Sequence, residues 1–269
     1  MSAALAIAAL IACLAAAATW HAWREGRRLR ARLERSAEEL QQLRQSFRRF
    51  APAEVIEGLI QGTGAAPEKR EVTVLFADLV GFTALSERLE PPVLVRVLNG
   101  YFDRMSRAIA DHRGHVSKFI GDGILALFGA LAPNPWQADD AVRAALAMRA
   151  ALAAYNKDLA AEGLPRLAIG IGIERGVVIA GLIGTPDLME FTVVGRAVNL
   201  AARIQAATRE HTVDVLVTAN VRATLDGQIR LRELPPAHLK GVDAPVAMWA
   251  VEGRHGNDGH HCRGIASTA

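Results

Sequence analysis

The stretch that most constrains this chain runs Val72-Thr-Val-Leu-Phe-Ala-Asp-Leu-Val-Gly-Phe-Thr-Ala-Leu-Ser86. Val72 to Ala77 is an apolar run of strand length, rich in residues that suit a buried strand. Asp78 stands where that strand should end, and Gly81-Phe82-Thr83 lets the backbone turn sharply into a helical pattern. A carboxylate at a strand end, followed by unpaired backbone N–H groups at a helix start, suits a metal that carries phosphates. By itself the same pattern also serves a plain turn or a helix cap, and both readings stay open at this point.

Before that stretch the chain is organised differently. Ala3 to Trp20 contains no charged residue, and 18 residues in a helix span roughly 27 Å, close to a hydrocarbon core. Trp20 and Trp23 sit where interfacial aromatics belong. A cleaved signal peptide is the rival reading, with small residues at Ala15 to Ala18, but the basic residues follow the apolar run instead of preceding it. That asymmetry predicts a retained single-pass anchor over residues 1–23, in the cell inner membrane, with the rest of the chain cytoplasmic. Between Arg24 and Arg49 there are nine arginines against four glutamates. The formal charge of +3 over 269 residues is therefore local, the remainder is slightly acidic, and no nucleic-acid surface is expected. Leu33, Leu40 and Phe47 are seven apart, as are Leu29, Ser36, Leu43 and Phe50, which predicts a short coiled coil over 24–51 or a single solvated helix. Pro52 ends it, and 52–67 reads as a linker with the breakers Gly62, Gly64 and Pro67. Cys13 and Cys262 lie at opposite ends and imply neither a disulfide framework nor a zinc site.

From residue 68 to 252 the pattern is that of one domain. After strand Val72–Ala77 come a helix Phe82–Leu89 and a second from Pro91-Pro92 to about His112. His115–Ile120 and Ile124–Phe128 read as strands joined by the tight turn Gly121-Asp122-Gly123. A helix spans Trp136–Ala161, then Leu167–Ile173 and Val177–Ile183 read as a strand pair separated by Glu174-Arg175-Gly176. Strand Phe191–Val194, helix Ala197–Ala207, strand Val213–Val217, helix Ala219–Leu225 and strands Ile229–Leu234 and Val246–Val251 complete it. Hairpins mixed with helices predict an α+β fold of ferredoxin-like type (βαββαβ), an antiparallel sheet with helices on one face. The tail 253–269, with His255, His260 and His261, lacks periodicity and is expected to be disordered.

Asp122, in its hairpin turn, is a second candidate ligand. Two carboxylates at neighbouring strand ends repel each other, and divalent cations relieve that repulsion. Three segments then occur in order: Phe76-Ala-Asp-Leu-Val-Gly-Phe-Thr83, Lys118-Phe-Ile-Gly-Asp-Gly123 and Phe191-Thr-Val-Val-Gly-Arg-Ala-Val-Asn-Leu-Ala-Ala-Arg203. With them the chain resembles the class III nucleotide cyclases, over about Glu68 to Glu252, and within them the lysine–threonine subgroup of bacterial adenylate cyclases.

The resemblance implies roles residue by residue. Asp78 and Asp122, with the Leu79 carbonyl, match the ligands of two divalent cations, magnesium or manganese. The backbone at Gly81, Phe82 and Thr83 matches the turn that receives phosphates. Lys118 matches the lysine that reads adenine, and Thr192 stands where many members carry an aspartate that accepts from the adenine amino group. Asn199 and Arg203 match the pair that orients the ribose and steadies charge on the reacting phosphate; at i and i+4 of one helix they face the same way. Lys240 is a weaker match to a lysine on the triphosphate. The implied reaction converts ATP to 3′,5′-cyclic AMP and pyrophosphate: a 3′-hydroxyl attacks the α-phosphorus, with two metals bound and Arg203 stabilising the developing charge. In this family one domain supplies the aspartates and the other supplies the base, ribose and transition-state groups. A chain holding one complete set is thus expected to form a head-to-tail homodimer. Arg196 departs from the aspartate common in bacterial members. Thr192 raises bicarbonate as a possible effector. The competing functions are a guanylate cyclase, against which Lys118 speaks, and a catalytically silent nucleotide-binding or dimerisation module. The Gly-Gly-Asp/Glu-Glu-Phe signature of diguanylate cyclases is absent.

Overall fold

The computed structural model describes residues 19–21, 23–28, 30–42, 55, 66–185 and 188–255. The chain divides into two units at Gly62/Thr63. In the first, the described part of 19–42 is helical and its side chains are exposed. Arg24 and Arg27 lie over the rings of Trp20 and Trp23, at 5.2 and 4.1 Å. Of the heptad positions, Leu33 and Leu40 are exposed on this helix, while Leu29, Leu43, Phe47 and Phe50 lie outside the described residues. So does the apolar run up to residue 18. Among the described residues no helix is long and apolar enough to cross a membrane. Residues 256–269 are likewise outside, with His260 and His261.

The second unit is built on β1 (Glu68–Leu79). Its alternation is strict: Val72 and Val74 join one apolar cluster, Leu75, Ala77 and Leu79 the other, as the period of two demands. After it come α1 (Phe82–Arg88), α2 (Pro91–Ala110), β2 (His115–Ile120), β3 (Gly123–Phe128), α3 (Gln137–Ala161), β4 (Ile169–Thr185), β5 (Leu188–Val194), α4 (Arg196–His211), β6 (Val215–Thr218), α5 (Ala219–Arg222), β7 (Ile229–Ala237) and β8 (Val246–Arg254). Prolines in the first turn of α2 preset its backbone angle where no N–H is needed. The strand order is β2-β3-β1-β4-β6-β8-β7, with β5 paired to β4. The first four strands and their helices are the βαββαβ unit expected from the sequence.

Four expectations change. Leu167–Ile173 and Val177–Ile183 are not two strands: β4 runs unbroken through Glu174-Arg175-Gly176, because β1 offers twelve consecutive partners from Glu68↔Ala180 to Leu79↔Ile169. The polar residues at its middle have partners instead of a turn. Glu174 is buried and accepts from Thr218 and from Asn220 (2.7 Å), while Arg175 pairs with Glu71 at 2.8 Å. Nor is the sheet wholly antiparallel, since β6 runs parallel to β4. Helices, moreover, cover both faces. Tyr101, Met105 and Ile109 of α2 and Ala141, Ala145 and Met148 of α3 pack with Leu75, Ala77, Ile171 and Ile173. Ala197 and Ala201 of α4 pack on Val72, Val74 and Val178 from the other side. The close seat of α4 depends on Gly170 and Gly172, where a Cβ would come within 2.2 Å of Thr208 Oγ1 and 2.3 Å of the Gln205 backbone nitrogen. At the C-terminus the last strand also runs further than expected, pairing Gly253 with Arg230 and Arg254 with Ile229.

Candidate functional site

Asp78 lies opposite Gly170 in the β1–β4 ladder, on the face where α4 is seated. Asp122 occupies the turn between β2 and β3 and reaches across to it, with its Oδ2 accepting from the Leu79 N–H at 3.3 Å. Gly123 permits the approach: a Cβ there would lie 3.1 Å from the Ile120 carbonyl and 3.4 Å from Asp78 Oδ1. Burial pushes the Asp78 carboxyl up to about 6, and the charge of Asp122 and a hydrogen bond with it add to the rise; Arg209 acts against it. Beneath the pair Tyr101 is fully buried. Its hydroxyl has no hydrogen-bond partner among the described residues. Burial first, then the negative charges of Asp78 and Asp122, hold that phenol firmly in its protonated form.

Arg209, in the last turn of α4, donates from Nη2 to Asp78 Oδ2 at 2.8 Å and to the Leu79 carbonyl at 3.2 Å. Those are two of the atoms that the resemblance assigns to metal. A guanidinium already rests between them, so this donor set, two carboxylates and one carbonyl, fits a hard cation. Among the described residues no group of three or more His, Cys, Asp or Glu side chains could hold a metal, and the carbonyl is needed to complete the set. The turn expected to receive phosphates follows directly. Gly81 adopts φ +73° at the start of α1, whose first turn has no acidic residue and no side-chain cap.

A second cluster forms around β5. Pairing of β2 with β3 shifts register between Val116 and Lys118, leaving Ser117 out of the ladder. Such an irregularity re-aims side chains, and here both Ser117 and Lys118 reach β5. Lys118 Nζ donates to Glu190 Oε2 at 2.6 Å. Ser117 Oγ donates to the Phe191 carbonyl at 3.3 Å and to Thr192 Oγ1 at 3.4 Å. The two predicted base-reading residues therefore share one surface.

Asn199 and Arg203 line a third, a cleft of about 310 Å³ with Arg196, Gly241, Val242 and Asp243. Arg203 Nη1 donates to the Gly241 carbonyl at 2.8 Å, which fixes the direction of its guanidinium. Lys240 is exposed in the turn beside that carbonyl. No hydrogen bond among the described residues joins Asp78 or Asp122 to Lys118, Thr192, Asn199 or Arg203. Among the described residues the one residue of α4 that bonds Asp78 is Arg209, six positions beyond Arg203.

Sequence reasoning missed Arg209, Glu190 and Tyr101. Glu190 was within reach of it: on a strand, residues 190 and 192 share a face. Arg209 and Tyr101 were not, since their relation to Asp78 exists only once α4 is seated on Gly170 and α2 on the opposite face.

Comparison with known proteins gives consistent results. Residues 65–253 match the family model described as the adenylate and guanylate cyclase catalytic domain. The chain is 34% identical over 234 residues to an adenylate cyclase of Anabaena cylindrica, covering 82% of this chain and 46% of that protein. It is 31% identical over 211 residues to adenylate cyclase 1 of Rhizobium meliloti, covering 77% and 32%. It thus spans less than half the length of either relative. Among solved structures it is similar to the adenylyl cyclase CyaB from P. aeruginosa, with TM-score 0.67, 30% identity and coverage of 72% and 99% of the two chains. The guanylyl cyclase Cya2 is comparable, with TM-score 0.65, 36% identity and coverage of 71% and 96%. On the fold, the three motifs and the extent of the family match, the chain belongs to the adenylate and guanylate cyclase catalytic domain family.

Proposed function

We propose that this chain is an adenylate cyclase that forms 3′,5′-cyclic AMP and pyrophosphate from ATP, at two equivalent sites shared across a head-to-tail homodimer. The observation that carries the reading is a full set of groups in one chain, gathered in three clusters, with no hydrogen bond among the described residues from Asp78 or Asp122 to Lys118, Thr192, Asn199 or Arg203. Exposed apolar side chains border two of these clusters, Val80 beside Leu79, Phe119 and Ile120 beside Lys118, and Met189 and Val194 around Glu190 and Thr192. Apolar surface so placed favours a second copy as its cover.

In this reading Asp78, Asp122 and the Leu79 carbonyl hold two divalent cations, magnesium or manganese. Bound there, such cations neutralise triphosphate charge and ease loss of the proton from the attacking 3′-hydroxyl. The backbone of Gly81, Phe82 and Thr83 takes the phosphates, with Lys240 as a further contact. Lys118 and Thr192 bind the purine edge. Asn199 orients the ribose, and Arg203, pre-aimed by the Gly241 carbonyl, meets the charge that develops at the α-phosphorus. Because similar solved structures include both adenylyl and guanylyl cyclases, the choice of ATP rests on the base-reading residues. We further propose that residues 1–23 anchor the chain in the inner membrane with the cyclase domain cytoplasmic, that 24–51 pairs as a coiled coil, and that bicarbonate acts as an effector. A bicarbonate titration at fixed pH that leaves turnover flat removes the last of these.

The test incubates the purified full chain with ATP or GTP and manganese or magnesium, and identifies the products. Cyclic AMP is expected from ATP and is lost in Asp122→Ala. A folded, dimeric wild-type chain that forms no cyclic nucleotide under any of these conditions overturns the proposal.

A further inference from the structure

Adenine and guanine differ most at C6, where adenine presents an amino donor and guanine a carbonyl acceptor. A residue that separates them must either only accept or only donate. Thr192 does neither, since a hydroxyl donates as readily as it accepts. It is also buried, 8% exposed, and its hydroxyl already receives the Ser117 hydrogen bond. An ionised carboxylate, by contrast, only accepts.

Glu190 places such a group in this cluster. It stands two residues before Thr192 on β5, so the two side chains share a face while Phe191 and Val193 pack in the core cluster of the opposite one. Its Oε2 holds Lys118 Nζ at 2.6 Å, and its side chain keeps 44% of its surface exposed against 31% for Lys118. That bond uses one of the three ammonium protons and fixes the direction of the others. One carboxylate oxygen remains to accept from a ligand.

We propose that Glu190 is a specificity-determining residue of this site: its carboxylate aims Lys118 at a purine ring nitrogen, accepts from the 6-amino group of adenine and repels the 6-oxygen of guanine. The inference rests on the reading of the site as a nucleotide cyclase, and it assigns the discriminating charge to position 190 instead of 192. Thr192 then touches the purine edge through a hydroxyl that carries no charge to discriminate with.

The experiment compares the full-length wild type with Glu190→Gln and Glu190→Asp. It measures kcat and KM for ATP and GTP with manganese, and the binding of 3′-deoxy-ATP and 3′-deoxy-GTP, which lack the attacking hydroxyl, by calorimetry. Glu190→Gln is expected to lower the ATP-over-GTP ratio of kcat/KM about tenfold or more, the scale of one base-reading contact. The loss should fall mainly on KM for ATP, and Glu190→Asp should recover part of it. A folded Glu190→Gln whose ratio stays within about twofold of wild type overturns the assignment. Should Glu190→Gln fail to fold, the ratio in Glu190→Asp decides: an unchanged preference overturns the proposal and a reduced one supports it. A wild type that cyclises neither nucleotide overturns the enzymatic reading alone. Glu190 is then judged by binding: preference for 3′-deoxy-ATP that disappears in Glu190→Gln upholds it, and equal binding of both analogues by wild type overturns it.

Discussion

Replacing Asp78 by asparagine keeps the shape of the side chain and removes a charge that the fold holds at a cost. Burial and Asp122 raise its carboxyl from 3.8 to about 6. A native state that binds the proton more tightly than the unfolded chain gains stability below the ordinary carboxylate value and loses it as pH rises through the native one. The gain is complete below about pH 4, declines between pH 4 and 6, and is gone above that. The displacement corresponds to about 3 kcal/mol as an upper bound. Asp78 is 26% exposed and loses its Arg209 partner on substitution, so roughly 1–2 kcal/mol of net stabilisation is expected for Asp78→Asn at pH 8. Urea unfolding of the full chain in chelator measures it. The gap between variant and wild type should be largest at pH 8 and close as pH approaches 4. Saturating manganese should raise the wild type by mass action and leave the variant largely unmoved. An Asp78→Asn chain less stable than wild type at pH 8 without metal, or a gap that ignores pH, refutes the reasoning.

Arg209 occupies the Asp78 and Leu79 oxygens proposed to hold a cation, and cannot yield by losing its proton. Arg209→Gln should therefore bind manganese about two- to fivefold more tightly by electron paramagnetic resonance titration, the scale of a half-exposed ion pair; weaker binding would show instead that the arginine supports the site. Tyr101 buries a hydroxyl without a described partner, so Tyr101→Phe should leave the urea midpoint unchanged or raise stability by up to about 1 kcal/mol. A loss of 2 kcal/mol or so would reveal a hydrogen bond to the carboxylate pair.

The sequence carried the frame of the domain and the ends of most elements, because β1, β2 and β3 announce themselves by apolar runs closed with Gly121-Asp122-Gly123. It carried less where tertiary pairing overrode local signals. Glu174-Arg175-Gly176 looks like a break, yet Thr218 and Asn220 satisfy the glutamate from β6 and α5, elements distant in sequence. Helices were expected on one face because nothing local marks Gly170 and Gly172 as a seat for α4. The motif residues were legible by resemblance, but their grouping was not. Lys118 and Asp122 are four apart yet reach different strands, Lys118 to Glu190 of β5 and Asp122 to Leu79 of β1, a division set by the bulge at Ser117 and by the direction of the hairpin. Arg209 and Tyr101 became visible only through the packing of α4 and α2 around the carboxylates.

The central claim is that each active site takes its metal half from one protomer and its base and transition-state half from the other. Mixing Asp78→Ala with Arg203→Ala tests it most directly, since each variant alone spoils both sites of its own homodimer. With random reassociation half the dimers are mixed and each holds one intact site, so activity should return to about one quarter of wild type. A mixture that exchanges subunits and stays as inactive as its components would contradict the account.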